Sequence, residues 1–349
     1  MRGSDSRGMR HWVTLVALST LVAFAVALAP AALASGGQAK GPNAPNPLKG
    51  QKWWDQNTEY HLTWSVYRGL RARGKISKAN AIKKLAEQPQ FRWWGRYESP
   101  LVSKIQGSFQ TMDRQEKGQV PLMAAFFHEG RGCSPSYQGG GRAEDQRYRR
   151  YIRQFAKGIG RREVVIAFEP DSTGTIECLA KSRRKARLRT LAYGVKVVSR
   201  LPNATVYIEA TASDWQGVPT VSRKLKALGV RRVRGFMLNA THQDTIKNNI
   251  RYGRKLSKRL GGKHFIINTS HNGNGNFKRR GKVNTCNPPN VAAGARPTTD
   301  TDHPLVDAYV WVERPGYSNG ACNGGPARVG AFWLDRALLM VRRAAWNRN

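Results

Sequence analysis

The sequence predicts an α/β fold on a parallel sheet of about seven strands, closed or nearly closed into a barrel. Three observations carry this. Short runs rich in β-branched residues alternate with longer segments of helical periodicity through most of the chain. The runs are apolar at nearly every position, as in strands covered on both faces, which parallel sheets require. Polar and aromatic residues collect just beyond the runs: Trp93, His128 with Glu129, Asp171, Glu209, Asn239, Ser270 with His271, and Glu313. That gathering describes a polar cleft at one mouth of the sheet. A doubly wound open sheet is the alternative, disfavoured because no glycine-rich phosphate turn follows the first strand.

Taken in order, the chain begins with a segment outside the fold. Arg2, Arg7 and Arg10 precede an apolar run from Trp12 to Ala29, and Ala32-Leu33-Ala34 offers a small-x-small cleavage site. This predicts a secretory signal peptide over residues 1–34, cut after Ala34. The run is long for a signal, so an uncleaved membrane anchor is its alternative. No other apolar segment reaches spanning length, so the mature protein is expected to be secreted, soluble and free of the membrane. Residues 35–45, rich in Gly, Ala and Pro, read as a flexible linker. Residues 46–349 remain for one catalytic-size α/β domain, with no internal repeat.

Asn46-Pro47 opens that domain, followed by Trp53-Trp54. Helices are expected at 58–73 and 77–87, and Pro89 to Trp94 reads as the first strand or strand edge. A polar helix at 101–116 leads to the apolar run Pro121 to Phe127. The helix at 142–158 carries Tyr148, Tyr151, Ile152 and Phe155 at i, i+3, i+4, i+7, a stripe that faces a sheet. Strand 163–168, a basic helix at 180–199, strand 204–209, helix 219–228, strand 232–238, helix 241–260, and strands 263–268 and 306–312 follow. A helix at 330–346 closes the chain.

The formal charge is +37, and the leader contributes only +2 of it, so the mature domain is strongly basic throughout. Such a field favours nonspecific adhesion to polyanions. No basic run interleaves with aromatics and no nucleic-acid motif is present, so a dedicated nucleic-acid role is not expected. A monomer is expected. The four cysteines, Cys133, Cys178, Cys286 and Cys322, include no C-x-x-C pair, which disfavours zinc or redox use. In an exported chain they predict two disulfides. Three connectivities are open, and the local pairs Cys133–Cys178 and Cys286–Cys322 are favoured because each ties neighbouring loops. His128 and His271 lack the spacing of a metal site, and Ser270 beside His271 is not in a G-x-S-x-G elbow. No cofactor is expected.

The chemistry is read from Val164-Val165-Ile166-Ala167-Phe168-Glu169-Pro170-Asp171-Ser172: a buried strand stopped by proline, with two carboxylates at its C-terminal end. Around it stand Pro89-Gln90-Phe91-Arg92-Trp93, Arg131-Gly132-Cys133, Tyr207-Ile208-Glu209-Ala210, Arg234-Gly235-Phe236 with Asn239, Asn268-Thr269-Ser270-His271-Asn272-Gly273, Cys286-Asn287-Pro288-Pro289 and Asp307-Ala308-Tyr309-Val310-Trp311-Val312. In this order they resemble glycoside hydrolase family 6, the inverting cellobiohydrolases and endoglucanases, over essentially the whole domain. The resemblance implies a distorted (β/α) barrel with two local disulfides, acting on β-1,4-linked glucan or a related polysaccharide.

It gives Asp171 the role of general acid, supported by Arg131, and makes Trp93 and Trp215 sugar platforms. Asn239, Asn272, Asn287 and Glu313 become substrate contacts. An inverting site also needs a base across the sugar, the carboxyls roughly 6.5–9.5 Å apart to admit a water. Here the sequence departs from the family pattern. Gly132 stands where an aspartate keeps the acid protonated, and Asn319 where the usual base is found. Glu313 replaces a lysine, Tyr317 a glutamate, Thr285 a tryptophan and Ala212 a histidine. Glu313 or Glu209 is the substitute base this leaves, with Glu129 an outside candidate; Asn319 can position water but cannot take a proton. A sugar-binding protein that has lost turnover, or a cationic polyanion-binding protein, are the alternative functions.

Overall fold

The computed structural model describes residues 43–59, 61–127 and 141–347. Helices α1 (Leu62–Ala72) and α2 (Ile76–Ala86) lead into strand β1 (Arg92–Gly95). Then α3 (Leu101–Gln115), β2 (Leu122–Phe126), α4 (Arg142–Ile159), β3 (Val164–Phe168), α5 (Lys181–Val198), β4 (Ala204–Glu209), α6 (Val218–Leu228), β5 (Gly235–Leu238), α7 (Ile246–Arg259) and β6 (His264–Asn268) alternate. Residues 269–305 join β6 to β7 (Val306–Val310) without a helix, and α8 (Leu334–Arg343) packs last.

All seven strands are parallel and hydrogen-bonded in chain order. The sheet edges meet at one point: Gln90 and Trp311 form a single parallel bridge. Phe91 N–H donates to Trp311 O at 2.9 Å, and the Trp93 indole donates to Val312 O at 2.7 Å. The parallel barrel the sequence predicts is therefore a curled sheet closed by one bridge.

Strand periodicity of two sorts side chains to the two faces. Ile166, Phe168, Val206, Ile208, Phe236, Leu238, Phe265 and Ile267 meet the helices, including the Tyr148, Tyr151, Ile152 and Phe155 stripe of α4. Val165, Ala167, Tyr207, Met237, Ile266, Ala308 and Val310 fill the barrel. The same parity sends Glu169, Glu209, Asn239 and Asn268 inward at the C-terminal mouth, where they are buried.

The opposite end is plugged by charge. Asp307 accepts from Arg234 Nε and Nη2 at 2.8 Å each, from the Tyr207 hydroxyl at 2.6 Å and from His264 Nδ1 at 3.0 Å. Neither Arg234 nor Asp307 exposes its side chain. Burial pushes the Asp307 carboxyl up, but the bonds from Arg234 and His264 outweigh it and hold the acid below its ordinary range.

Several expected boundaries move. Ala44, within the linker expected over 35–45, is held to the domain, its O accepting from Arg234; the Asn46 amide donates to Asp307 O. The helix expected from 241 starts at Ile246, after Thr245, whose hydroxyl caps Asn248 N–H. Residues 241–245 are instead a loop gathered around Asp244 O, which accepts from the amides of Asn239, Asn249 and Asn272. Strands β1 and β5 begin three residues later than expected, β5 after the 3-10 turn Val230–Arg232. Cys286 and Cys322 are bonded, as the local pairing predicts. Cys178 is also disulfide-bonded; the expected partner, Cys133, lies outside the described residues, as do the leader, His128, Glu129, Arg131 and Gly132.

Candidate active site

Strained backbone marks the mouth of the barrel. Glu169 (φ 51°), Asp171 (φ 70°), Thr211 (φ 65°) and Asn239 (φ 65°) follow β3, β4 and β5 in the left-handed region. For β-branched Thr211 this is a true outlier. Neighbours hold it there: Thr211 N–H donates to Glu209 Oε1, and Thr211 O accepts from Asn239 N–H at 2.8 Å. Strain kept at one end of a sheet points to a working site at that end.

Three carboxylates after the strands serve different ends. Glu169 accepts Phe127 N–H on both oxygens, at 3.2 and 3.1 Å, tying β2 to β3. Glu209 accepts the N–H groups of Thr173 at 2.7 Å and Gly174 at 3.3 Å on Oε2, and that of Thr211 on Oε1. Both its oxygens thus anchor backbone, including the turn that carries Asp171. Glu313 accepts the Asn319 amide at 3.0 Å on Oε1. Among the described residues its Oε2 has no hydrogen-bond partner, and it lies 3.7 Å from His271 Nδ1.

Burial first, then the charge of Asp171, pushes Glu209 up to about 7 despite its backbone donors. Burial also drives Glu313 to about 7, with Asp171 again raising it and Asn319, Arg336 and His242 lowering it. Asp171 itself is half-buried and its Oδ1 accepts the Thr241 hydroxyl. Asp171, Glu209 and Glu313 therefore form one electrostatic group that resists simultaneous ionisation.

The aromatic candidates flank this group. Trp93 is half-buried, packed edge-on against Phe126 with ring centroids 4.7 Å apart. Trp215 is half-buried and lies flat against His242, centroids 4.7 Å apart and planes at 15°. His242 Nδ1 is 2.9 Å from Asp214 Oδ1, and Asp214 Oδ2 accepts the Asn276 amide. A Cβ on Gly174 would stand 2.2 Å from the Trp215 ring, so only glycine lets the Asp171 turn meet that ring.

The three asparagines expected as substrate contacts sit deeper than that role implies. The Asn239 amide donates to Asp244 O and Asn268 O, and its Oδ1 accepts Asp244 N–H. Asn287 donates to Gly320 O and Cys322 O and accepts Asn319 N–H, organising the disulfide loop. Both are fully occupied and buried, so they place loops rather than face a ligand. Asn272 donates to Asp244 O, and its buried Oδ1 has no partner among the described residues.

Sequence reasoning missed Thr241, His242, Asp214 and Arg336. Arg336 reaches from α8 to the Glu313 environment, and burial, offset by Glu313, lowers it to about 10. Asp214 was detectable as a carboxylate beside Trp215. Nothing in the sequence separates Arg336 from the rest of the chain's 59 Lys and Arg. Burial, and after it the charge of Arg336, hold His271 well below its ordinary value.

Comparison with known proteins places this geometry. A family model described as glycosyl hydrolases family 6 matches residues 48–336. Endoglucanase A of Cellulomonas fimi is 36% identical over 285 residues, covering 81% of this chain but only 60% of that protein's length. Endoglucanase 1 of Streptomyces halstedii is 28% identical over 275 residues, covering 77% and 82%. Among solved structures, the endoglucanase Cel6 of Mycobacterium tuberculosis, in complex with methyl-cellobiosyl-4-deoxy-4-thio-β-D-cellobioside, matches with a TM-score of 0.76 at 31% identity, over 86% of this chain and 99% of that one. Endoglucanase Cel6B of Humicola insolens, TM-score 0.72 at 19% identity, shares the fold.

Proposed function

Because this chain belongs to glycosyl hydrolase family 6, we propose that it hydrolyses β-1,4-linked glucan or a related polysaccharide with inversion at the anomeric carbon. Asp171 donates its proton to the leaving glycosidic oxygen while a water attacks from the opposite face. Glu313 accepts the proton that this water loses. One new C–O bond forms, one breaks, and the two carboxyls exchange protonation states, to be reset through solvent.

The observation that carries this reading is the gathering of Asp171 and Glu313 at one mouth of a family 6 barrel. In the free protein the charge of Asp171 keeps a proton on Glu313, and hydrolysis draws on the tautomer with that proton on Asp171 and Glu313 ionised. Glu313 suits the base role better than Glu209: among the described residues its Oε2 has no hydrogen-bond partner, whereas both Glu209 oxygens hold backbone N–H groups. Trp93 and Trp215 serve as sugar platforms, Asn319 orients Glu313, and Arg131 supports the acid.

The test is a reducing-end assay on soluble and insoluble β-glucans with Asp171→Ala alongside. Turnover abolished by the substitution supports the enzyme; turnover that survives it overturns the role of Asp171. A second reading, sugar binding without turnover, draws support from the covered state of the site. Thr241 engages Asp171 and His242 lies on Trp215. Sugar binding with no hydrolysis in either protein selects that reading.

Export through the leader at 1–34, a monomeric mature form, and nonspecific polyanion adhesion complete the proposal. The Cys286–Cys322 bond fits an oxidising compartment. N-terminal sequencing of the secreted protein tests the cut after Ala34.

A further inference from the structure

Beside Trp215 lies an open groove of about 750 Å³. Asp214 and Trp215 line it on the β4 side, Arg251 and Lys255 on α7, and Lys278 on a hairpin. Arg251 and Lys255 are four apart, hence on one face of the helix. The hairpin pairs Lys278–Arg279 with Lys282–Val283. Its two-residue turn, Arg280 (φ 51°) and Gly281 (φ 75°), supplies the two left-handed positions such a turn needs.

The three cations are exposed, and among the described residues their side chains form no salt bridge or hydrogen bond. The groove's two acids are engaged elsewhere. Asp214 holds His242 and Asn276, and Asp244 accepts from Ser213 Oγ, Thr245 N–H and the Asn248 amide. Three free cations thus stand against two carboxylates whose oxygens are taken up by neighbouring donors, which leaves the concave wall net positive and attractive to anions. Basic residues are spread over the whole molecule; what distinguishes these is a concave setting continuous with Trp215.

We propose that this groove is an extended subsite for an anionic glycan, a β-linked chain bearing carboxylates on sugar units beyond the scissile bond. The proposal rests on the glycosidase reading and narrows its substrate to an acidic polysaccharide. Arg251, Lys255 and Lys278 bind the carboxylates while Trp215 carries the adjoining ring.

The test measures binding of cello-oligosaccharides oxidised to carboxylates at C6, and of the unmodified oligosaccharides, to the full mature protein carrying Asp171→Asn so that no turnover intervenes. Two triple variants are compared on that background: Arg251→Gln/Lys255→Gln/Lys278→Gln in the groove, and Arg71→Gln/Lys75→Gln/Lys78→Gln outside it. The expected result is tighter binding of the oxidised chain at low salt, lost about tenfold in the groove variant and retained in the other. No preference for the oxidised chain, or equal losses in both triples, overturns the proposal. So does a groove-dependent affinity for duplex DNA or polyphosphate that exceeds the one for the oxidised glycan. Hydrolysis of the neutral glucan by the unmutated protein tests the glycosidase reading separately, and the binding comparison decides the groove either way.

Discussion

Glu313→Gln separates the chemistry of the site from its stability, and the two change in opposite directions. The carboxyl is moved from 4.5 to about 7, chiefly by burial. At 1.36 kcal/mol per pKa unit, ionising it in place costs about 3 kcal/mol. The pair works with one proton between its carboxyls, on Asp171 in the productive tautomer, so kcat/KM on a soluble β-glucan should fall through a limb near pH 7 as that last proton leaves. At pH 9 only about 1% of the pair keeps it, and kcat/KM should sit about 100-fold below its plateau. Replacing the carboxylate with an amide should remove the limb near pH 7 and lower the plateau by about 10²–10⁴-fold. Stability behaves otherwise. A carboxyl whose folded pKa is raised contributes fully below its unfolded value and loses that contribution as pH rises through about 7. The glutamine has nothing to lose, so urea unfolding should show the variant gaining on the parent between pH 5 and pH 8, by up to about 3 kcal/mol. A variant that keeps the limb, or loses less than tenfold in rate, refutes Glu313 as base. A stability difference that stays flat with pH refutes its ionisation in a buried setting.

The other expectations follow from single contacts. Glu209→Gln should destabilise by about 1–3 kcal/mol in urea at neutral pH, because an amide NH2 would face the N–H groups of Thr173, Gly174 or Thr211; no loss would remove its anchoring role. Asp307→Ala should cost about 3–5 kcal/mol by leaving the buried Arg234 charge without its carboxylate, and a loss below about 1 kcal/mol would refute the plug. Gly174→Ala should raise KM on cello-oligosaccharides more than it lowers kcat, since the new Cβ displaces Trp215, and unchanged kinetics would remove Trp215 from the site. Cys286→Ser/Cys322→Ser should lower stability by about 4 kcal/mol, as expected for a loop of 36 residues, with retained stability the contrary result.

The barrel was legible because its strands state their own environment. Val164–Phe168 and His264–Asn268 are buried at every residue, and only a sheet covered on both faces asks for that. The α4 stripe was equally plain, since four aromatic or aliphatic side chains at helical spacing have one use in a basic helix. The 241–245 loop was illegible for the converse reason. Local spacing continues into α7, and what prevents a helix there is a set of amides, Asn239, Asn249 and Asn272, converging on Asp244 O. Asn239 and Asn249 are near in sequence, but Asn272 is 28 residues from Asp244, and no local window shows that the three converge. The gathering at one mouth of residues from different strands followed from the strand ends; which of them touch did not.

Glu209 and Glu313 show where that boundary lies. In the sequence they are the same object, a glutamate just past an apolar run, and each is a candidate base on equal terms. Burial and Asp171 bring both to about 7, so acidity does not separate them either. The difference lies in the donors. The backbone after β3 turns its N–H groups toward Glu209, and a carboxylate so held can move a proton only by releasing Thr173, Gly174 or Thr211. Among the described residues Glu313 meets one side-chain amide, from Asn319, the position where the family pattern puts its usual base, and keeps an oxygen without a hydrogen bond. An asparagine cannot take a proton, but it can orient the carboxylate six residues before it. On that reading the base has moved along its loop, and Asn319 remains at the site as a positioning residue for Glu313.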